Sequence, residues 1–433
     1  MFLSPPKKEN PWGTLKQFKK KYTSKQFSEN RIYAQDVAMS YDSAQHTRNN
    51  NVFLLGDAAE HLQYWRRNLL QANTNYVLPD LNQQLYKEFR SILEAKGYKV
   101  YYFDPFNPAQ SCSFNPWRYM DNEVNIVELL NAACISTTSG DKFDALVARH
   151  ILTAIVLCMQ EQERVISWSA IMKTISPDAT IDIDEHLDAF FANAKTVAKK
   201  QYLSWKTQTR IARLKSIVSL QELLQPLAAM ESQTASNTSF DAQELYNSKT
   251  AVFVNTMGQE HVCTRVFYST VFRVIYELHT WTPSKNRCTI NIAVDSFVPE
   301  AALKFATCKK FGLCVTPMYT SIPALKNHYP DDYDCITGCC DSLLFAGTDD
   351  IATAEYMSEA LGRMPIVVKG INSSRKSSHI QYSWKSPELM TVKEILTLPK
   401  NEILILVRGE KPIRALKYHT ESHPNAHLLQ ESK

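Results

Sequence analysis

No stretch of this 433-residue chain stays apolar for the roughly 20 residues that a membrane-crossing helix needs. The longest candidate, Ile151 to Cys158, makes about two helical turns and reads as a buried helix. The opening "MFLSPPKKENPWG" lacks the apolar centre of a secretory leader. Paired C-x2-C spacing is missing too. Cys335, Cys339 and Cys340 form a C-x3-C-C group, with Cys308 and Cys314 close in sequence, but no histidine stands at finger spacing. The ten cysteines are scattered through a large, core-forming chain, so reduced, buried thiols in the cytoplasm are expected, and no metal site. A strong charge bias is also absent. A net charge of +4 is too small to argue for nucleic-acid binding by itself. No internal repeat is found.

What is present describes a globular protein. Apolar residues make up 44% and charged residues 21%, and the length suits two or three domains. Residues 1 to about 50 are polar and basic, with Lys16, Lys19, Lys20 and Lys21 interleaved with Phe18 and Tyr22. Such a segment could touch phosphate or an anionic membrane, or be a solvated, amphipathic lead-in helix; the second reading is preferred. From Asn51 the pattern alternates: "NVFLLG" (strand), "HLQYWRRNLLQAN" (helix), "NYVLPD" (strand), "QQLYKEFRSILEAKG" (helix), "YKVYYFDPF" (strand). That order predicts a parallel α/β unit over residues 51–120. Residues 121–235 hold almost no strand signal and predict an inserted all-helical domain. Strand patterns resume with "TAVFVNT", "CTINIAVDS", "GLCVTPMY", "DSLLFAG" and "EILILVRG", with helices expected at 262–279, 301–311 and 350–361. The α/β domain therefore reads as split, 51–120 with 245–433.

The stretch "NVFLLGDAAEH", residues 51–61, begins like a phosphate-binding turn, with an apolar strand running into Gly56. A phosphate loop needs G-x-x-x-x-G-K-[ST]: backbone N–H groups around the phosphates, a lysine to neutralise them, a hydroxyl for Mg²⁺. Counting from Gly56, the last three slots hold His61, Leu62 and Gln63. No frame supplies the lysine or the hydroxyl. Asp57 and Glu60 put negative charge where phosphates would sit.

The order of blocks nevertheless resembles the type IV secretion coupling proteins, the conjugative DNA-transfer ATPases of the TraG/TraD type, in their Gram-positive branch. "NVFLLG...RRNLLQAN" is similar to that family's strand, loop and helix, with the loop about two residues shorter. "NYVLPDLNQQLYKE" resembles its next block and keeps Asp80, Leu85 and Tyr86. "YKVYYFDPFNPAQSCSFNP", "CTINIAVDSF", "ITGCCDSLLFAGTDDIATAEYMSEALG" and "KPIRALKYHTESHPNAHLL" resemble later blocks, so the likeness runs over residues 12 to 429.

The resemblance implies a RecA-like P-loop NTPase fold, mostly parallel sheet with flanking helices, carrying an inserted all-α domain. It implies ATP and Mg²⁺ in the family, and here it implies their loss. Gly56, Asp57, Ala58 and Ala59 stand as the remnant of the phosphate loop, and Asp295 as the remnant of the second motif. Ser296 occupies the place of the catalytic glutamate and Thr320 that of a γ-phosphate-sensing glutamine. Glu60 or His61 could serve as a substitute base or ligand, but reads as a surface turn residue, and Asp295 as a strand-end cap. Bound nucleotide is therefore not expected. A catalytically inactive platform is expected, recruiting substrates or partners for a type IV secretion or conjugation apparatus, such as an active coupling ATPase or a relaxosome. It would lie in the cytoplasm, reaching the inner face of the cell membrane through partners. A weak ATPase motor and a DNA-binding accessory protein are the competing readings.

Overall fold

The computed structural model describes residues 10–42, 45–134, 142–177, 180–257, 259–281, 289–296, 298, 312–374 and 377–431. In chain order, helix α1 (Leu15–Tyr22) precedes a hairpin of β1 (Asn30–Ala34) and β2 (Val37–Ser40). Then come β3 (Val52–Leu55), α2 (Ala58–Leu69), β4 (Asn75–Pro79), α3 (Gln84–Ala95) and β5 (Lys99–Phe103). Six helices follow: α4 (Glu123–Cys134), α5 (Lys142–Glu161), α6 (Trp168–Ile175), α7 (Ile183–Phe190), α8 (Thr196–Lys206) and α9 (Arg210–Gln233). The short α10 (Glu244–Asn247) leads into β6 (Thr250–Val254), α11 (Val262–Trp281), β7 (Ile290–Val294) and β8 (Leu313–Tyr319). The remaining strands are β9 (Ser342–Phe345), the hairpin β10 (Ile366–Ser374) and β11 (Ser377–Lys385), β12 (Glu402–Val407) and β13 (Ile413–Leu416). The helix expected at 301–311 lies outside the described residues.

The chain folds as two compact units, Met1–Asn73 with Val315–Glu431, and Thr74–Cys314. In the first unit the strands run β13-β12-β9-β3-β8. β3 pairs in parallel with β8 and β9, while β12 pairs antiparallel with β9 and β13. β3, "VFLL", is buried at every position, as expected for a parallel strand covered on both faces. In the second unit the order is β7-β4-β6-β5, all parallel, and β4, β6 and β7 are fully buried. The six helices α4–α9 belong to this unit.

The N-terminal region departs from the solvated lead-in that its composition predicts. α1 is short and buries Phe18 and Tyr22. The hairpin after it is core: every residue of β1 is buried, Arg31 included. The Arg31 guanidinium donates to the Tyr64 hydroxyl, the Asn50 carbonyl and the Thr316 hydroxyl, and lies over the Tyr64 and Trp65 rings. Composition reads Arg31 as a surface residue because these acceptors stand up to 285 positions away in sequence.

Candidate functional site

The turn after β3 is tight and held by contacts within the chain. Gly56 donates its N–H to the Tyr319 carbonyl (3.1 Å), and Ala346 donates to the Leu55 carbonyl (2.8 Å). A Cβ on Gly56 would stand 3.0 Å from the Ala346 Cβ, so the glycine lets two neighbouring strand ends approach. Asp57 has extended backbone and is the N-cap of α2, its carboxylate accepting the Glu60 N–H at 2.8 Å. Ala58, Ala59, Glu60 and His61 are therefore the first turn of the helix.

This corrects the reading of Glu60 and His61 as surface turn residues. The Asp57 cap starts the helix earlier than apolar spacing alone places it. Glu60 forms an ion pair with Lys417, whose side chain is only 12% exposed. The His61 side chain is half-buried, its Nε2 is shielded from solvent with no hydrogen-bond partner among the described residues, and burial lowers its pKa to about 4 although the Asp57 charge and the Tyr319 backbone oppose this. Neither side chain is a free base.

The C-terminal segment runs along α2. After Lys417 on Glu60, the Thr420 hydroxyl donates to the Gln63 side chain (2.9 Å). His423 meets Gln71, and the Asn425 amide donates to the Leu70 carbonyl (3.0 Å), where α2 ends. Each end of α2 thus has one backbone group met by a side chain, the Glu60 N–H by Asp57 and the Leu70 carbonyl by Asn425. Lys417 and Thr420 were visible in the sequence only as part of the "KPIRALKYHTESHPNAHLL" block, with no role attached. Thr320, in the same unit, is exposed just beyond β8.

In the second unit Asp295 follows β7 directly. Its Oδ2 accepts from the Thr256 hydroxyl (2.7 Å). Burial pushes its pKa up to about 6, against hydrogen bonds from Thr256, its own backbone and Ser296. Ser296 is buried and favours the charged form of the neighbouring carboxylate. Asp80 is buried after β4 and accepts the N–H groups of Leu85 and Tyr86, each at 2.8 Å, at the start of α3. Burial pushes its pKa up to about 6 as well. Each of Asp80, Leu85 and Tyr86 thus has a structural role: the carboxylate holds two N–H groups of the first turn of α3, Leu85 is buried, and the Tyr86 ring lies 5.0 Å from that of Tyr102.

The long block around residues 336–362 is also held by its own polar residues. Asp341 accepts the Asn49 N–H (2.7 Å) and pairs with Arg408 (3.1 Å). Asp350 caps the helix Ile351–Leu361 by accepting from Thr353, and Gly362, at φ 78°, closes it. Of the four N-terminal lysines, Lys19 pairs with Asp36 (2.7 Å) and Lys21 with Glu410, while Lys16 and Lys20 are exposed. Among the described residues no cluster of three or more His, Cys, Asp or Glu side chains could hold a metal ion, and no helix is long and apolar enough to cross a membrane.

Comparison with solved structures finds the same architecture in the bacterial conjugative coupling protein TrwB. Its unbound TrwBdeltaN70 form is 14% identical, with a TM-score of 0.69 over 94% of this chain and 92% of that one. The plasmid coupling protein TrwB in complex with ADP and Mg²⁺ matches at 14% identity and TM-score 0.68, over 93% and 91% of the two chains. Its complex with the ATP analogue ADPNP matches at 14% and 0.68, over 93% and 92%. This is a likeness of fold, the RecA-like P-loop NTPase type with a mostly parallel sheet. No curated protein sequence matches the chain. The family model described as "Type IV secretory system Conjugative DNA transfer" matches residues 67–431. The chain belongs to that family of conjugative DNA-transfer proteins.

Proposed function

We propose that this protein is a coupling-protein homologue whose nucleotide site is closed from within, and that it serves a type IV secretion or conjugation apparatus as a recruiting platform. The observation that carries the reading is the Asp57 cap. A helix N-terminus attracts an anionic ligand through its free N–H groups and the positive end of its dipole. Here a carboxylate of the chain itself accepts the Glu60 N–H. The ion pair between Glu60 and Lys417 takes the nearest helix carboxylate and a basic side chain together. A triphosphate placed at this turn would meet the Asp57 carboxylate with no lysine from the loop to offset it, the one nearby lysine being engaged by Glu60. Asp295 is half-buried and its carboxylate is held by the Thr256 hydroxyl. The residues present therefore do not fit Mg²⁺–ATP, and no hydrolytic step is assigned to them.

Solvated backbone and broken strands would be expected of a decaying relic, whereas this chain keeps buried strands and capped helices. That supports selection for shape, hence for partners such as an active coupling ATPase, a relaxosome component or DNA. Membrane association would come through such partners.

Titration calorimetry with Mg²⁺–ATP and Mg²⁺–ADP up to millimolar concentration tests the closed site. No binding heat is expected. Micromolar affinity abolished by Asp295→Ala would overturn the reading. Co-elution with a purified coupling ATPase or relaxase from the same transfer system tests the platform role, and failure with both would remove it.

A further inference from the structure

We propose that the outer edge of β5 is a docking site for an extended acidic peptide, which adds to it as a further strand. β5 ends its row of strands, with β6 on one side only. Lys99 donates to the Lys249 carbonyl, and Phe103 accepts from Asn255. The odd residues Lys99, Tyr101 and Phe103 therefore turn their backbone groups toward β6. Strand alternation turns Val100 and Tyr102 outward. The Tyr102 carbonyl bears this out by accepting the Cys112 N–H at 2.7 Å, from outside the sheet. Three groups are left on the edge: the Val100 N–H, the Val100 carbonyl and the Tyr102 N–H. Among the described residues no donor or acceptor meets them. Unpaired strand edges are what peptides pair with in strand addition.

The edge opens into a groove of about 500 Å³. Its far wall is extended chain held in place: Ser113 bridges Ser239, and the Asn237 amide donates to the carbonyls of Pro108 and Ser111. Hydroxyl and amide side chains dominate the lining, and Arg90 is its one formally charged residue. Arg90 pairs with Glu94, but both are about half exposed, so the pair is weak and exchangeable for a ligand carboxylate. That charge selects an acidic occupant. A single nucleic-acid strand suits the groove less well, because it needs free aromatic faces and a cationic track. The Tyr86 ring already faces Tyr102 and lies under Arg90.

This names the partner class for the platform reading, yet the two fail separately, since peptide capture is read here and co-elution with a coupling ATPase or relaxase there. A displayed library of random seven-residue peptides would be selected on the full chain, and synthetic hits measured by fluorescence anisotropy. Acidic, extended sequences are expected. Val100→Pro removes an outward N–H without touching the β6 ladder and should weaken binding tenfold or more, as should Arg90→Glu. No binders, binders indifferent to both substitutions, or a groove that takes an oligo-dT probe in preference, would overturn the proposal. Hydrogen exchange on the unaltered protein removes any dependence on variant folding. The Val100 and Tyr102 amides should slow at least tenfold with a selected peptide bound, and unchanged rates would equally sink it.

Discussion

The Asp57 carboxylate accepts the Glu60 N–H at 2.8 Å, two residues beyond the last residue of β3. That one bond turns a loop position into the first turn of a helix. Replacing the carboxylate with a methyl leaves the N–H without its acceptor, so Asp57→Ala should lower stability by about 1 kcal/mol, and Asp57→Asn by a few tenths, since Asn caps nearly as well. Urea denaturation of the two variants checks the ranking. Equal losses would mean that the cap contributes little.

Gly56 is expected to be retained for packing. Its absent Cβ would meet the Ala346 Cβ at 3.0 Å and the Glu60 Cβ at 3.5 Å. Gly56→Ala should destabilise by about 1–3 kcal/mol, the usual range for overpacking. Adding Ala346→Gly removes the opposing methyl and should recover much of that loss. A double variant no better than Gly56→Ala alone would place the strain elsewhere.

The Glu60–Lys417 pair ties α2 to a residue 357 positions away. Both side chains are mostly buried, at 24% and 12% exposed, so removing one leaves a charge poorly solvated. Lys417→Met should lower stability by about 1–3 kcal/mol, and Glu60→Gln by a comparable amount. The double variant should lose less than the sum of the two, a coupling that a double-mutant cycle measures directly. Limited proteolysis should also cut the segment after Lys417 faster in the single variants.

The sequence made the sheet legible and left the closure of the turn unread, for one physical reason. β3, β4, β6 and β7 are short apolar runs buried on both faces, and such runs announce themselves locally. Gly56 and the missing lysine were equally local. What runs along α2 is not: Lys417, Thr420 and Asn425 reach it from a distant part of the chain. Arg31 is the same case, a basic residue whose polar partners arrive from three other segments. The hairpin β10–β11 was missed because its strands, "IVVKGINSS" and "SSHIQYSWK", are too mixed in polarity to stand out as strands.

Two half-buried groups should titrate with opposite effect on stability. Asp295 has its pKa raised to about 6 by burial. The folded state therefore holds a proton that the unfolded chain has already released once pH exceeds its ordinary carboxylate value near 4. Stability from this group is full below that value, falls as pH rises toward 6, and stays low above it. Asp295→Asn keeps an acceptor for Thr256 and has no charge to bury. It should match the wild type near pH 4 and exceed it above pH 6, by at most about 3 kcal/mol, the equivalent of a two-unit shift. His61 is lowered to about 4, again by burial, so the unfolded chain takes up a proton first as pH falls. Its contribution is full above pH 6.5 and drains away toward pH 4. His61→Gln, which is polar but does not titrate, should lose less stability over that interval than the wild type does. Urea midpoints at pH 4.5, 5.5, 6.5 and 7.5 for the three proteins separate the effects. An Asp295→Asn advantage that is constant with pH would show that the wild-type carboxylate is ionised throughout and that its folded-state pKa is not raised by burial.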